Sequence, residues 1–134
     1  MKGHSNHHLL QEVGAKFIGK AYVKDKDLYF VYPNSFPAIV DGKNIVFGEV
    51  WDIPHRKMET SRGLILPIKL FDALEGYDPR RSKGNMYVRR RVKVVFSNGR
   101  KVWCSYYHWN GPVDENLFIK NGDWGKTFKK SSFY

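Results

Sequence analysis

The chain has 134 residues and a mass of 15.7 kDa, the size of one domain that buries its own core without a metal ion or a disulfide. Aromatic residues make up 16% of the sequence, which excludes a disordered chain, and no apolar run approaches the ~20 residues of a membrane span. The N-terminal segment lacks the apolar centre of a secretory signal, and the single cysteine, Cys104, excludes an internal disulfide. We therefore expect a soluble, cytoplasmic protein.

The positive charge of the chain is concentrated in its second half. The formal net charge is +10. Residues 1–77 contain ten basic and nine acidic residues, whereas residues 78–134 contain thirteen basic and only four acidic residues. A basic half attracts anions by long-range steering, but the charge alone does not identify the anion. Nucleic acid, an acidic protein surface and a small carboxylate substrate all fit.

Short apolar segments in the first half predict β-strands. We expect strands over residues 16–23, 27–32 and 44–53, because each is rich in branched and aromatic side chains. Residues 33–37 contain two prolines and an Asn-Ser pair, which predicts a loop. Gly48 lies on the opposite face of its strand from Ile45, Phe47, Trp51 and Ile53, where close approach of another backbone is a common reason for glycine.

A short helix is predicted over residues 67–75. Pro67 suits the first helical turn, because its missing N–H would be unpaired there in any case. Apolar residues recur at helical spacing, and Gly76 is a plausible left-handed end.

A β-hairpin is predicted over residues 87–97 and 100–109. Asn98-Gly99 connects two β-rich runs, which favours a type I′ turn. Arg90 interrupts the apolar face of the first arm, and its opposite face is charged, with Arg89, Arg91 and Lys93. The second arm is apolar on both faces, which predicts a central strand or a barrel wall. Many strands with one or two short helices give an α+β domain with a small barrel-like β-sheet.

Glu75 is the first candidate for chemistry. A carboxylate at the C-terminal end of a helix meets partial negative charge, so we expect its pKa to be raised, as a general acid and base near neutral pH requires. The alternative is an ordinary solvated glutamate at a helix end.

The other candidates are weaker. His4, His7 and His8 match no metal-ligand spacing, so no metal site is predicted. Cys104 has no Cys/His arrangement around it, which favours a structural thiol. The basic face of the predicted hairpin is interleaved with aromatics, as in single-strand nucleic-acid binding, although such a face is usually only solvated.

Taken in order, several segments resemble the γ-glutamylcyclotransferase-like (AIG2-like) family, especially its branch that includes γ-glutamylamine cyclotransferases. The similar segments are Gly3–Leu10, Gly14–Gly19, Phe36–Val40, Gly48–Trp51, Phe71–Gly76, Tyr87–Arg89 with Val92 and Val94, Trp103–Tyr107 and Ile119–Trp124. Phe71–Gly76 resembles the family's Leu-Asp-x-x-Glu-Gly helix end, and Gly48–Trp51 its Gly-Glu-aromatic strand. The order and spacing of the segments carry the resemblance.

The resemblance implies a mixed, barrel-like sheet with a cavity and a reaction that needs neither metal nor cofactor. The α-amine of a small γ-glutamyl substrate would attack its own γ-carbonyl, closing 5-oxoproline and releasing an amine or amino acid. The family's glutamate corresponds to Glu75. As the substrate pocket we predict Tyr29, Phe36, Tyr87 and Tyr107, with Arg89 holding a substrate carboxylate. All five could equally serve packing.

One family feature is absent from this sequence. The family opens with a strand that ends in Tyr-Gly-Ser/Thr-Leu, and no Tyr-Gly-x-Leu occurs here. Three explanations are open: the start was assigned too late, the domain is a truncation that binds without catalysis, or the segment 128–134 or another chain fills the missing strand. We place the domain at residues 1–125, followed by a basic aromatic tail at 126–134.

Two functions follow from these features. The first is a γ-glutamyl cyclotransferase-like enzyme. The alternative is a non-catalytic binding module of the same fold, whose basic C-terminal half binds an acidic protein, a nucleic acid or a small anion.

Overall fold

The computed structural model describes residues 8–31, 36–81, 83–120, 122 and 131–134. Residues 8–12 are helical. The strands are β1 (Lys16–Val31), β2 (Phe36–Asp52), β3 (Met58–Thr60), β4 (Gly63–Ile65), β5 (Tyr87–Phe96), β6 (Lys101–Trp109) and β7 (Ser131–Phe133), and the helices are α1 (Pro67–Leu74) and the 3₁₀ turn Glu115–Leu117. No helix of the described residues is long and apolar enough to cross a membrane.

β1 and β2 form a long antiparallel hairpin that is the largest element of the sheet. Their pairing runs from Lys16 opposite Asp52 to Val31 opposite Phe36, with irregularities between Phe17 and Gly19 and between Lys24 and Lys26. The predicted strands 16–23 and 27–32 are therefore one strand. Two residues of the predicted loop, Phe36 and Pro37, begin β2 instead, where the absence of a proline N–H is tolerated.

The main sheet closes on itself as a mixed barrel. β1 pairs with β5 at Ala21 and Phe96, β5 pairs antiparallel with β6 along its length, and β6 pairs in parallel with β2 at His108 and Ile39. Because β2 also pairs with β1, the ring is complete. The predicted α+β architecture with a small mixed barrel-like sheet and short helices is confirmed.

β7 fills the seam between β2 and β6. Ser131–Phe133 pairs in parallel with Gly48–Val50, and Tyr134 exchanges both backbone hydrogen bonds with Ser105, at 2.9 and 2.6 Å. Phe133 is fully buried, and a Cβ at Gly48 would lie 2.6 Å from its ring. The close approach predicted at Gly48 is present. The last four residues of the predicted tail thus belong to the sheet, while 126–130 lie outside the described residues.

The turn of the β5–β6 hairpin differs from the predicted type I′. Gly99 has a positive φ of 86°, but Asn98 does not. The Gly99 N–H donates to the Phe96 carbonyl at 2.9 Å, and the Asn98 side chain accepts from the Arg100 N–H at 2.9 Å. These bonds fit a three-residue loop with glycine at its left-handed position. Asn98 stabilises this loop through its side chain, and its own φ is not positive.

Two hydrophobic clusters lie on opposite faces of the sheet. The inner core contains Ala21, Val23, Leu28, Ile39, Val46, Val50, Val94, Cys104, Tyr106 and Phe133. The helix-side core contains Leu10, Val13, Tyr29, Ala38, Ile53, Phe71, Tyr87, Tyr107 and Trp109. Arg90 projects from the apolar face of β5, as predicted, and is half-exposed with its guanidinium 3.7 Å from the Asp41 carboxylate. Cys104 is a buried free thiol, and burial raises its pKa, so it is a structural residue.

Candidate active site at the end of helix α1

Glu75 is the residue at which α1 ends. The helix begins at Pro67 and its last helical residue is Leu74, with Glu75 as the C-cap. The Glu75 N–H donates to the Phe71 carbonyl at 3.0 Å, and the Gly76 N–H donates to the Ala73 carbonyl at 3.1 Å. Gly76 then takes a positive φ of 69°, the left-handed conformation that ends many helices. The predicted helix and its end are confirmed, and the Glu75 side chain is half-buried.

Asp72 fastens α1 to the sheet. It is only 3% exposed, and its carboxylate accepts a hydrogen bond from the Tyr107 hydroxyl at 2.8 Å. The Arg89 guanidinium lies 3.3 Å and the Lys69 ammonium 3.6 Å from its other oxygen. The Arg89 contact is an ion pair without hydrogen-bond geometry, since neither atom has a hydrogen-bond partner. Asp72 therefore fixes the turn of helix that precedes Glu75.

Sequence reasoning did not select Asp72. The signal was available, because an acidic residue three positions before Glu75 lies on the same side of a helix. It also forms part of the Phe71–Gly76 segment that carries the resemblance.

Tyr87, the first residue of β5, lies near Glu75. Its ring packs edge-on against Trp109 at 5.0 Å, and its hydroxyl donates to the Pro37 carbonyl at 2.8 Å. Burial raises the pKa of Tyr87, and the negative charge of Glu75 raises it further. The phenol is therefore neutral throughout the physiological range and is a hydrogen-bond donor.

The other predicted pocket residues lie around the helix-side core. Tyr29 is 5% exposed, and its hydroxyl donates to the Glu115 carboxylate at 3.1 Å. Burial and this contact raise the pKa of Tyr29. Burial, and then the charge of Asp72, also raise the pKa of Tyr107. Phe36 begins β2 opposite Val31, but its side chain lies outside the described residues.

The structure thus brings Tyr29, Tyr87 and Tyr107 into one cluster with α1. Each of their hydroxyls has a protein partner. Arg89 likewise has Asp72 as its partner, and its side chain is 24% exposed. These contacts account for the packing of the three buried tyrosines. Of the predicted binding residues named in this paragraph, Arg89 has the largest exposed part for a substrate to contact.

The sequence predicted no metal site at the N-terminal histidines, and the structure describes only one of the three. His4 and His7 lie outside the described residues, and His8 is exposed at the start of the helical segment 8–12. Within the part of the chain that is described, no three His, Cys, Asp or Glu side chains are grouped as metal ligands.

Comparisons with known proteins agree with the fold. The family model described as "Gamma-glutamyl cyclotransferase, AIG2-like" matches residues 1–126. A protein of Methanocaldococcus jannaschii named "Putative gamma-glutamylcyclotransferase" is 27% identical over 127 residues, which cover 92% of this chain and 87% of the relative.

Solved structures share the architecture at low sequence identity. An uncharacterized protein of Pyrococcus horikoshii has a TM-score of 0.54 at 24% identity, covering 90% of this chain and 78% of that protein. An uncharacterized human protein has a TM-score of 0.56 at 20% identity, covering 87% of this chain and 68% of that protein. At these identities the likeness is one of fold, and the family assignment rests on the match over residues 1–126. The chain belongs to the gamma-glutamyl cyclotransferase, AIG2-like family.

Proposed function

We propose that this chain is a γ-glutamyl cyclotransferase that acts on a small γ-glutamyl amine or γ-glutamyl amino acid. The α-amine nitrogen of the substrate attacks the γ-carbonyl carbon, and the γ-amide C–N bond breaks. One proton leaves the attacking nitrogen and one is delivered to the departing nitrogen, so that 5-oxoproline and a free amine or amino acid are released.

The position of Glu75 is the observation that carries the proposal. It is a half-buried carboxylate at the C-cap of α1, close enough to Tyr87 for its charge to act on that phenol. A carboxylate in this setting can accept the proton of the attacking amine and return it to the leaving nitrogen. The partial negative charge at the helix end favours the protonated form, so the raised pKa expected for Glu75 stays a prediction.

The remaining proposed roles are binding roles. Tyr29, Phe36, Tyr87 and Tyr107 would form the wall of the substrate pocket, and the exposed part of Arg89 would hold a substrate carboxylate. Asp72 acts through α1 and is a positioning residue. Intramolecular attack needs no side-chain nucleophile, because holding the two reacting groups together supplies much of the rate acceleration.

The test is the release of 5-oxoproline from a panel of γ-glutamyl amines and γ-glutamyl amino acids. The Glu75→Gln variant keeps the size of the side chain and removes the proton acceptor, so we expect a rate loss of about 100-fold or more. Glu59→Gln is the matched control, because Glu59 is exposed on β3, and it should keep full activity. The same panel is run on a version extended upstream through any in-frame coding sequence.

The outcomes separate the explanations left by the sequence. Activity of this chain that is lost in Glu75→Gln supports the proposal as it stands. Activity only in the extended version supports the proposed reaction but requires a segment before Met1. An equal rate in Glu75→Gln, or no turnover of any panel member by either version, would overturn the proposal.

A further inference from the structure

We propose that a groove between the sheet and the beginning of α1 binds single-stranded nucleic acid, a function beyond the proposed cyclotransferase reaction. The groove has a volume of about 850 Å³ and is walled by β2, β5, β6 and the first turn of α1. Its lining includes Ile18, Trp51, Arg91, Arg100, Trp103 and Tyr134. Leu66 and Ile68 of the groove lie at the beginning of α1, whereas Glu75 lies at its end. Arg89, the proposed substrate-binding arginine, also lines the groove, so the two proposed sites adjoin at this residue.

The groove contains paired and unpaired arginines: Arg89 and Arg90 line it together with Arg91 and Arg100. Arg80 is paired with Asp78, Arg89 with Asp72 and Arg90 with Asp41. By contrast, no carboxylate of the described residues lies within 4.0 Å of the Arg91 or Arg100 guanidinium. Both side chains are exposed. Unpaired guanidinium groups beside a groove are available to phosphate.

An exposed indole lies among these cations. Trp103 is 59% exposed, and the Lys93 ammonium lies 5.3 Å from the centre of its ring. A second exposed ring, Phe17, is 49% exposed and packs edge-on at 5.4 Å against Trp51 of the groove. Exposed aromatic faces interleaved with cations are what single-strand binding uses, since bases stack on the rings while the cations contact phosphates.

The same observations disfavour the other occupants. A duplex keeps its bases stacked inside the helix, so it would leave the Trp103 ring unused. A peptide made of acidic residues would meet the guanidinium groups, but it has no aromatic ring to stack on the indole. A second copy of this chain, docked symmetrically through the groove, would bring the same basic patch of both copies together, and like charges repel.

The test is fluorescence anisotropy with a labelled ten-nucleotide oligouridylate, read over a range of salt concentrations. We expect binding that weakens steeply with salt, and a loss of about tenfold in Trp103→Ala, because one stacked base contributes on this scale. Trp103→Phe should keep most of the affinity, since phenylalanine also stacks. Arg100→Glu should weaken binding and reduce the salt dependence.

Matched controls make the proposal falsifiable. Arg62 is exposed on the turn between β3 and β4, outside the groove, so Arg62→Glu changes the net charge as Arg100→Glu does but should bind nearly as the unaltered chain. Equal losses in Arg62→Glu and Arg100→Glu would show attraction by net charge alone. Unchanged binding in Trp103→Ala, equal affinity for a duplex of the same length, equal competition by polyglutamate, or self-association through the groove would each overturn the proposal. Retained 5-oxoproline release in these variants would keep this result separate from the proposed reaction.

Discussion

The two ends of helix α1 differ in how their charges are used. Around its second half, Asp72 is buried against Tyr107, Arg89 and Lys69, and Glu75 follows as the cap. At its first turn, Leu66 and Ile68 face a groove whose Arg91 and Arg100 have no carboxylate partner among the described residues. The C-terminal end is built from paired groups, whereas the groove at the N-terminal end also contains unpaired ones. Arg89 joins the two regions, because it lines the groove and pairs with Asp72.

This difference separates structural charge from charge that is available to a ligand. A buried carboxylate such as Asp72 must be paired, because leaving a charge unpaired in the interior is costly. An exposed guanidinium such as Arg100 bears no such cost and can remain without a partner. The proposed reaction therefore depends on how rigidly α1 holds Glu75, whereas the proposed binding depends on which cations stay free.

Removing the charge of Asp72 is the strongest way to break the paired end. Asp72→Asn keeps an acceptor for the Tyr107 hydroxyl but leaves Arg89 without its counter-charge. We expect a loss of about 3 kcal/mol in the free energy of unfolding, since breaking a buried pair from one side is costly. Urea denaturation measures it, and 5-oxoproline release should fall as well, because Glu75 is no longer held.

Asp78→Asn is the control for that measurement. Asp78 pairs with Arg80 at 3.1 Å, and the Arg80 side chain is 89% exposed, so solvent screens the pair and little change in stability is expected. A loss in Asp78→Asn as large as the loss in Asp72→Asn would show that pairing at α1 is not special.

Gly48→Ala is expected to disturb both ends at once. The new Cβ would lie 2.6 Å from the Phe133 ring and 2.6 Å from the Ser131 carbonyl, which forces β7 away from β2. Tyr134, which follows β7, packs on Phe71 of α1 at 4.9 Å and also lines the groove. We expect a loss of about 1–3 kcal/mol, measured by urea denaturation, together with reduced turnover and reduced oligonucleotide affinity.

Gly19→Ala is the matched control, because its Cβ would lie 3.4 Å from the nearest atom, a carbon of the Phe96 ring. It should change stability by much less than Gly48→Ala. Full stability of Gly48→Ala would contradict the placement of β7 in the seam.

Protonation of His108 limits the pH range in which the two ends of α1 can be compared, because it lowers the stability of the fold. Burial lowers the pKa of His108 to about 4, with the positive charge of Arg90 adding to the effect and Asp41 opposing it. Because the unfolded chain protonates this histidine first, stability falls as the pH drops below about 6.5. We expect about 1 kcal/mol to be lost between pH 6 and pH 5, and His108→Gln should flatten this part of the profile. An equally steep stability profile in His108→Gln would contradict the assignment of this pH dependence to His108.

Local features of the fold could be predicted from the sequence. Pro67, the apolar spacing and Gly76 defined α1 and placed Glu75 at its end. Gly48 was assigned a close approach of another backbone because glycine in a strand often has that meaning, and the Ser131 carbonyl supplies it. These features depend on a few neighbouring residues, so their pattern is readable in one segment.

Features that join distant segments could not be predicted. The continuous pairing of β1 with β2 and the contact of Asp72 with Tyr107 link residues far apart in the chain. The C-terminal segment was one of three open explanations for the missing strand, and its place between β2 and β6 could not be chosen from the sequence. The type I′ turn predicted at Asn98-Gly99 was wrong for a different reason. The dipeptide suits a type I′ turn, but the bond from the Arg100 N–H to the Asn98 side chain stabilises a three-residue loop.

The central claim is that the two ends of α1 have separate tasks, and a crossed measurement tests it directly. Both 5-oxoproline release and oligouridylate binding would be measured in Glu75→Gln and in Trp103→Ala. We predict that Glu75→Gln loses turnover and keeps binding, and that Trp103→Ala loses binding and keeps turnover. Loss of both properties in either variant, at unchanged stability, would contradict the separation.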